Sequence, residues 1–228
     1  PSLPVLLAWL FVLMLLLYAY PINNFLFRTS FLVSIFLFFF CLWVVLWKRK
    51  LLFWIVAITL FSYWSILVFW SKSEKSTLVQ HEYLQQIASF EWTRYVWWGE
   101  NIIGIDCSGL PRKSRILAHR NIGFLEFDGK HLMKALSLWW NDTSAGKLLT
   151  DTLITEQVTS GKSINSLDIK SILPGDFAVT TDGIHVLVYL GKSTWIEADP
   201  NAWKVIKVSV PSKNYWFWVP VMVKRWRH

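Results

Sequence analysis

The segment around Cys107 has the residue types of a nucleophile at the start of a helix. Cys107 lies in Gly-Ile-Asp-Cys-Ser-Gly-Leu, residues 104–110, where a polar stretch changes into a helical pattern. Pro111 fits a first helical turn, where a proline breaks no helical hydrogen bond. Because the helix dipole favours a thiolate, we expect a lowered pKa for the Cys107 thiol. A lone cysteine before a helix is more often structural, so a catalytic role requires a base.

His185 is the candidate base. It lies in a predicted strand, residues 184–190, that is apolar on both faces, so a buried structural histidine is the alternative. If the chain reverses around Gly191, His185 and Glu197 face each other on neighbouring strands, with Cβ atoms ~5 Å apart. Glu197 would then orient the imidazole as the third member of a Cys-His-carboxylate triad. Asp199 shares that face and is the alternative orienting residue.

These residues belong to a longer pattern of four segments. They are Tyr-Val-Trp-Trp-Gly at 95–99, the segment 104–110, Leu-Pro-Gly-Asp at 173–176, and His-Val-Leu-Val-Tyr-Leu-Gly at 185–191. In order and spacing the pattern resembles the NlpC-type family of papain-like cysteine peptidases, over roughly residues 86–200. The resemblance implies an α+β, papain-like fold, with a helix bearing the cysteine packed on an antiparallel sheet bearing the histidine. It also implies an endopeptidase that cleaves peptidoglycan stem peptides, commonly between γ-D-glutamate and a diamino acid.

The resemblance also assigns roles to residues. Cys107 matches the nucleophile, His185 the general base and then acid, and Glu197 the position of a polar orienting residue. The backbone N–H of Cys107 would act as an oxyanion donor. The positions that line the site and hold the substrate are matched by Tyr95, Asp106 and Ser108, with Trp98 beside them at the entrance.

Three residues depart from the family pattern. Trp98 replaces the first of two usual glycines, Glu197 replaces the more usual His, Asn or Gln, and Leu187 stands where glycine is common. These changes leave two other functions open: an inactive domain that binds cell-wall peptides, or an acyl or amide transferase using the same Cys-His site. Because Cys107 precedes His185, the order favours the peptidase over the circularly permuted acyltransferases.

The first 70 residues have the composition of a membrane segment. They hold no acidic residue and only four of the 23 basic residues. Three apolar runs, 3–20, 31–47 and 51–70, are each close to the ~20 residues that span a bilayer, so we predict a three-helix anchor over 1–70. A signal peptide is the alternative for the first run. Cys41 lies within the second run and is expected to be inert packing.

The short loops predict the orientation of this anchor. Lys48, Arg49 and Lys50 lie between the second and third runs, whereas the segment 21–30 carries only Arg28. The loop with three charges should be cytoplasmic, which places the rest of the chain outside. We therefore predict a multi-pass protein of the bacterial inner membrane with a periplasmic or extracellular catalytic domain, whose partners are the lipid bilayer, through residues 3–70, and a peptidoglycan peptide.

The remaining chain is predicted to be a linker over 71–76 and one α+β domain over 77–228. Helical spacing predicts helices over 77–92, 107–123 and 130–140. Short β-branched or aromatic runs then predict an antiparallel meander, with strands at 176–180, 184–190, 194–198, 205–210 and 216–223. The segment 121–168 is assigned no chemistry.

Several features indicate no further chemistry. Two cysteines exclude a disulfide framework, and the histidines at 81, 119, 131 and 228 show no metal-ligand spacing, so we predict no metal and no cofactor. Nucleic acid is not expected for an outward-facing domain. The basic residues of the second predicted helix are expected to form a solvated face: Arg112, Lys113, Arg115 and Arg120.

Overall fold

A computed structural model describes residues 2–47, 50–69 and 76–227 of the chain. The N-terminal part consists of helices α1, Leu3–Ala19, α2, Phe25–Trp47, and α3, Lys50–Phe69. α1 packs against α2, and α3 contacts α2. Many of the described apolar side chains on these helices are exposed. An exposed apolar surface of this extent is typical of a segment that contacts membrane or a partner.

Within the described residues, α2 is the one helix that is long and apolar enough to cross a membrane, by length and composition. α1 has 17 residues, and within α3 the apolar helix counted over the described side chains is the shorter run Phe53–Ser65. The prediction of three spans is therefore not supported, because a spanning helix needs about 20 apolar residues. Trp70, the end of the third predicted run, lies outside the described residues.

α2 begins at Phe25, earlier than the predicted run 31–47. Asn24 Oδ1 accepts a hydrogen bond from the Phe27 N–H at 3.0 Å, which stabilises this earlier start. Arg28 therefore lies in the helix rather than in a loop. Its guanidinium is buried, and Asp142 of the following domain neutralises its charge. This pairing removes the cost that would otherwise exclude a cation from such a helix.

The domain begins with helix α4, Ser76–Ser89, and continues with α5, Gly109–Leu125, and α6, Gly129–Trp140. These three helices confirm the predicted ones to within a few residues at each end. Of the predicted linker over 71–76, residues 71–75 lie outside the described residues, and Ser76 is the first residue of α4. A short helix α7, Ala145–Thr150, which was not predicted, lies in the segment 121–168 that was assigned no chemistry.

A six-stranded antiparallel sheet in the described residues packs against α4 and α5. Its spatial order is β3-β8-β4-β5-β6-β7, and the bounds are β3 Thr155–Gly161, β4 Phe177–Thr180, β5 Val186–Gly191, β6 Thr194–Asp199, β7 Lys204–Ser209 and β8 Val221–Trp226. A separate hairpin joins β1, Glu100–Asn101, to β2, Gly104–Ile105. The α+β class is thus confirmed.

The predicted meander is correct only for β4 to β7. β8 returns to the other side of β4, and the unpredicted β3 pairs with β8 at the edge. β8 also begins at Val221, because residues 215–217 form a turn of 3₁₀ helix instead of a strand. Such a crossover depends on contacts between distant segments, which local residue patterns do not report.

The register predicted for the β5–β6 hairpin is wrong by two residues. Glu197 lies opposite Leu187 rather than His185. The turn is formed by Lys192 and Ser193, with φ of 49° and 59°, and not by Gly191. Because side chains alternate with a period of two, this shift leaves Glu197 on the same face as His185. The two residues are diagonal neighbours, still within reach of long side chains.

Candidate active site

Cys107 lies two residues before the first residue of α5 and is 6% exposed. Its Sγ lies 3.5 Å from the Ile184 carbonyl oxygen, to which the thiol donates a hydrogen bond. Burial, followed by the charge of Asp106, raises the pKa of the Cys107 thiol to about 12. The expected lowering of this pKa is therefore wrong, because desolvation of the sulfur outweighs the nearby backbone N–H groups.

His185 lies directly after Ile184, the residue that contacts Cys107, and immediately before β5. Its Nε2 is 2.6 Å from Oε2 of Glu197, and both side chains are buried. Burial lowers the pKa of His185 to about 3 and raises the pKa of Glu197 well above its usual value. Burial thus disfavours the charged form of each group, and Nδ1 is the ring nitrogen not engaged by Glu197.

Two residues of the loop before β8 complete this cluster, and sequence reasoning missed both. Asn214 Nδ2 donates to Glu197 Oε1 at 2.9 Å and to Asp199 Oδ2 at 3.1 Å. The Trp216 ring stacks on the His185 ring, with centroids 4.1 Å apart. Asn214 thus bridges both candidate orienting carboxylates, and Glu197 is the one that contacts the imidazole. In the sequence, the only indication of a role for this loop is weak: a polar turn followed by aromatic residues.

Asp106 acts mainly as a structural group. Its Oδ1 accepts hydrogen bonds from the Gly109 N–H at 2.6 Å and from Ser108 Oγ at 3.1 Å, and its Oδ2 accepts from the Trp98 N–H at 2.9 Å. These bonds cap α5 and fix the loop that carries Trp98. Burial raises the pKa of Asp106, while the hydrogen bonds act in the opposite direction.

A cleft of about 450 Å³ opens at Cys107. The structure brings the predicted substrate-binding residues Tyr95, Trp98, Asp106 and Ser108 to its wall together with Cys107. His185 and Glu197 are buried and are not wall residues, whereas Ile184, which precedes His185, is one. Wall residues that sequence reasoning did not single out include Asn23, Asn24, Trp97, Glu100 and the segment 142–145.

Asn23 and Asn24 belong to residues 20–24, which join α1 to α2 and are here called the α1–α2 loop. This loop pairs with the β1–β2 hairpin: Ile22 forms a β-bridge with Gly99, and the Glu100 N–H donates to the Pro21 carbonyl at 2.8 Å. The Asn23 N–H donates to the Trp98 carbonyl at 3.2 Å. Part of the cleft wall is therefore supplied by the loop between the N-terminal helices α1 and α2.

The predicted solvated basic face on α5 is wrong for Arg112 and Arg115, which are both buried. Arg112 forms an ion pair with Glu100 and donates to carbonyl oxygens of Leu138, Trp139 and Asn141 at the end of α6. Arg28 donates to the Trp139 and Trp140 carbonyls of the same helix end at 2.7 and 2.6 Å. Two arginines thus complete the C-terminus of α6, where carbonyl groups lack helical partners.

Two of the histidines expected to be scattered lie together. His119 Nδ1 and His131 Nδ1 are 2.9 Å apart, between α5 and α6. In the described part of the chain, no group of three or more His, Cys, Asp or Glu residues could hold a metal ion. The two rings pack α5 against α6, with centroids 5.1 Å apart.

The model of the NlpC/P60 family matches residues 92–225 of the chain. The chain belongs to the NlpC/P60 family. This assignment covers every candidate site residue except those of the α1–α2 loop, and it indicates a cysteine peptidase or hydrolase.

Solved structures to which this chain is similar include two proteins of Trichomonas vaginalis and one of Mycobacterium tuberculosis. NlpC1 from T. vaginalis has 17% identity and a TM-score of 0.43, covering 70% of this chain and 48% of its own. NlpC2 from T. vaginalis has 19% identity and a TM-score of 0.41, and the match covers 69% of this chain and 51% of NlpC2. The M. tuberculosis peptidoglycan hydrolase RipB has 17% identity and a TM-score of 0.40, and the match covers 68% of this chain and 70% of RipB. The chain spans about half the length of the Trichomonas proteins. No curated protein matches the sequence.

Alkylation of Cys107 measures the protonation state of this NlpC/P60 site. Because the thiol pKa is raised to about 12, the thiolate fraction is small at neutral pH and grows as pH rises. At about pH 8 we expect iodoacetamide to modify Cys107 at least ~100-fold more slowly than glutathione, with a rate that rises about tenfold per pH unit up to about pH 10. Peptide mass spectrometry of the full chain separates Cys107 from Cys41. A rate that levels off below about pH 7 would contradict the raised pKa.

Trp98, which replaces a usual family glycine, has a backbone φ of 60°. This left-handed conformation costs a non-glycine residue about 1–2 kcal/mol. The neighbouring Gly99 has no room for a side chain, because an added Cβ would lie 2.6 Å from the Gly104 carbonyl oxygen. The loop thus requires Gly99 and tolerates Trp98 with strain.

We expect Trp98→Gly to leave the free energy of unfolding unchanged or to raise it by up to about 1 kcal/mol. The two hydrogen bonds at this residue come from its backbone and would remain. The matched control is Trp97→Gly, since Trp97 is similarly exposed and has no positive φ. That change should destabilise by about 0.5–1 kcal/mol. Equal losses for both variants in thermal unfolding would show that Trp98 is not strained.

Proposed function

We propose that this protein is a membrane-anchored cysteine hydrolase that cleaves peptide or amide bonds of peptidoglycan stem peptides, at the bond between γ-D-glutamate and a diamino acid. The observation that carries the proposal is the position of Cys107 in the wall of the cleft, in contact with the residue before His185, while Glu197 holds the imidazole. Membership of the NlpC/P60 family supports this class of chemistry.

The reaction begins with the Cys107 thiol and a neutral His185. With its proton on Nε2 and directed at Glu197, the imidazole offers Nδ1 to the thiol proton. As sulfur attacks the carbonyl carbon, the proton passes to Nδ1 and a tetrahedral oxyanion forms. The backbone N–H of Cys107 is the proposed oxyanion donor. Collapse expels the amine, which takes the proton from His185, and leaves a thioester.

Water then completes the cycle. His185 Nδ1 accepts a proton from water, the resulting hydroxide attacks the thioester, and the sulfur leaves and regains its proton. Glu197 stabilises each imidazolium that forms, and Asn214 holds Glu197 in place. The Trp216 ring stacks on one face of the imidazole and excludes water from that face. Tyr95, Ser108 and Trp98 are the proposed substrate contacts, and Asp106 supports the loops that carry them.

We propose α2 as the membrane anchor, with α3, which contacts both α2 and the domain helix α6, returning the chain so that the domain lies outside. The domain contacts the Phe25 end of α2, whereas Lys48, Arg49 and Lys50 follow its other end in the sequence. Loops rich in lysine and arginine remain on the cytoplasmic side, which supports a periplasmic or extracellular domain. A cytoplasmic reporter joined after residue 228 should therefore be inactive, and an active one would overturn this orientation.

Mass spectrometry of defined muropeptides tests the reaction. The full chain in detergent micelles is incubated with stem peptides carrying different diamino acids, beside Cys107→Ala and Glu197→Gln variants. We expect two fragments that together contain one added water, no fragments with Cys107→Ala, and a reduced rate with Glu197→Gln, whose neutral amide stabilises the imidazolium less. A wild-type chain that binds the peptides and cleaves none would favour the binding domain. Fragments joined to an added amine would favour the transferase.

A further inference from the structure

We propose that the cleft acts on a peptide that is itself attached to the membrane by a lipid. The inference rests on the proposed function and names the form in which the substrate arrives. It follows from the position of the cleft at the end of α2, from the contacts that hold it there, and from the apolar side chains around it.

The cleft and the start of the membrane helix share residues. Cys107, Asn23 and Asn24 line one cavity of about 450 Å³, and α2 begins at Phe25. A cavity of this size accommodates one small ligand. Because one ligand would fill this cavity, the Cys107 sulfur lies about one ligand length from Phe25. We take Phe25, the first residue of α2, as the point where the anchor enters the bilayer. A bond cleaved at Cys107 must reach the level of the lipid headgroups.

Contacts with the α1–α2 loop hold the cleft in this position. The backbone of residues 21–23 pairs with residues 98–100, and Asn101 Nδ2 donates to the carbonyls of Ala19 and Tyr20 at 3.0 Å each. On the other side of the loop, buried Arg28 donates to two carbonyls of α6 and pairs with Asp142. Breaking these contacts would leave buried polar groups unpaired, which is costly. The domain is therefore docked on its anchor and does not swing on a linker.

The same end of the domain exposes apolar side chains. The turn of the β1–β2 hairpin, whose Asn101 contacts the end of α1, carries Ile102, 77% exposed, and Ile103, 50% exposed. Trp97 and Trp98 are 65% and 58% exposed in the cleft wall. Tryptophan is enriched where proteins meet the headgroup layer, and exposed isoleucines are unfavourable in water. These side chains fit a cleft rim that contacts lipid.

A lipid-attached peptide satisfies all three observations. Its lipid remains in the bilayer and holds the peptide at the depth of the cleft, and the bilayer raises its effective concentration near Cys107. A stem peptide in solution has neither advantage. Hydrolysis itself is unchanged: one water is consumed, the amide bond breaks, and the lipid stays on one product.

The test compares one peptide in two forms. The full chain is reconstituted in vesicles, and the same stem peptide is supplied at equal total concentration, either free in solution or coupled to a phospholipid in the same bilayer. We expect an initial cleavage rate at least about tenfold higher for the lipid-coupled form. Equal rates would overturn the inference and leave the proposed hydrolase intact. No cleavage of either form would overturn both.

A variant at the turn of the β1–β2 hairpin tests whether the exposed apolar side chains of the cleft rim cause the preference for the lipid-coupled peptide. Ile102→Ser should lower the rate on the lipid-coupled peptide about threefold and leave the rate on the free peptide unchanged, because it removes exposed apolar surface. The matched control is Leu153→Ser, since Leu153 is 87% exposed in the turn between α7 and β3. An equal effect of both variants, or none from either, would contradict the role of the rim.

Discussion

Cys107→Ala should lower the rate of peptide hydrolysis by about 10⁴-fold or more, because nucleophiles of this class carry most of the chemical rate enhancement. Without sulfur no thioester can form, and His185 would have to activate water directly on the substrate. Binding should be retained, since the other wall residues of the cleft are unchanged. The expected result is therefore a large fall in kcat with a small change in KM, measured by quantitative mass spectrometry of the fragments.

The chain supplies its own control for this experiment. Cys41 is the other cysteine, and it lies within α2. Cys41→Ala should retain the full rate, while Cys107→Ser should lose most of it, because a hydroxyl is a weaker nucleophile than a thiol. Hydrolysis that survives Cys107→Ala would rule out the nucleophile, and with it the proposed mechanism.

Glu100→Ala should destabilise the protein by about 3–5 kcal/mol, the usual cost of removing one partner of a buried ion pair. Glu100 and Arg112 are each 4% exposed, and Asn23 also contacts Glu100. Burial already lowers the pKa of Arg112 to about 10, which reflects how poorly its surroundings solvate a charge. Loss of Glu100 would leave that guanidinium without its carboxylate partner beside the cleft.

Chemical unfolding of the full chain in micelles measures this loss. The control is Glu91→Ala, since the Glu91–Lys207 pair is partly exposed and should contribute about 0.2–1 kcal/mol. The double variant Glu100→Ala, Arg112→Met should recover part of the stability, because it removes the unpaired charge as well. Similar small losses for Glu100→Ala and Glu91→Ala would show that the buried pair contributes little.

Sequence patterns predicted the parts of this structure that depend on neighbours along the chain. The three domain helices and the β4–β7 meander follow from periodicity, and the face shared by His185 and Glu197 survived an error of two residues in register. Alternation of side chains explains this, since a slip of two keeps every residue on its face. The cleft residues Tyr95 and Ser108 were found through the family pattern.

The parts that were missed depend on distant segments. Asn214 reaches Glu197 from a loop after β7, and Arg28 meets Asp142 across more than a hundred residues of sequence. The predicted lowering of the Cys107 pKa was wrong for a related reason. Position before a helix predicts the sign of the dipole effect, whereas burial depends on which other elements cover the sulfur. The spacing of residues along the chain does not indicate which distant elements bury the sulfur.

The C-terminus of α6 receives one arginine from the N-terminal helices and one from the helix that follows the nucleophile. Arg28 therefore belongs to the N-terminal helices and completes a helix of the domain, whereas Arg112 lies within the domain and pairs with Glu100, which Asn23 of the α1–α2 loop also contacts. Exchange of the anchor for an unrelated one would remove Arg28 and the α1–α2 loop, and with them part of the cleft wall. An anchor exchanged into this protein would therefore have to supply both an arginine at the end of α6 and a loop that closes the cleft.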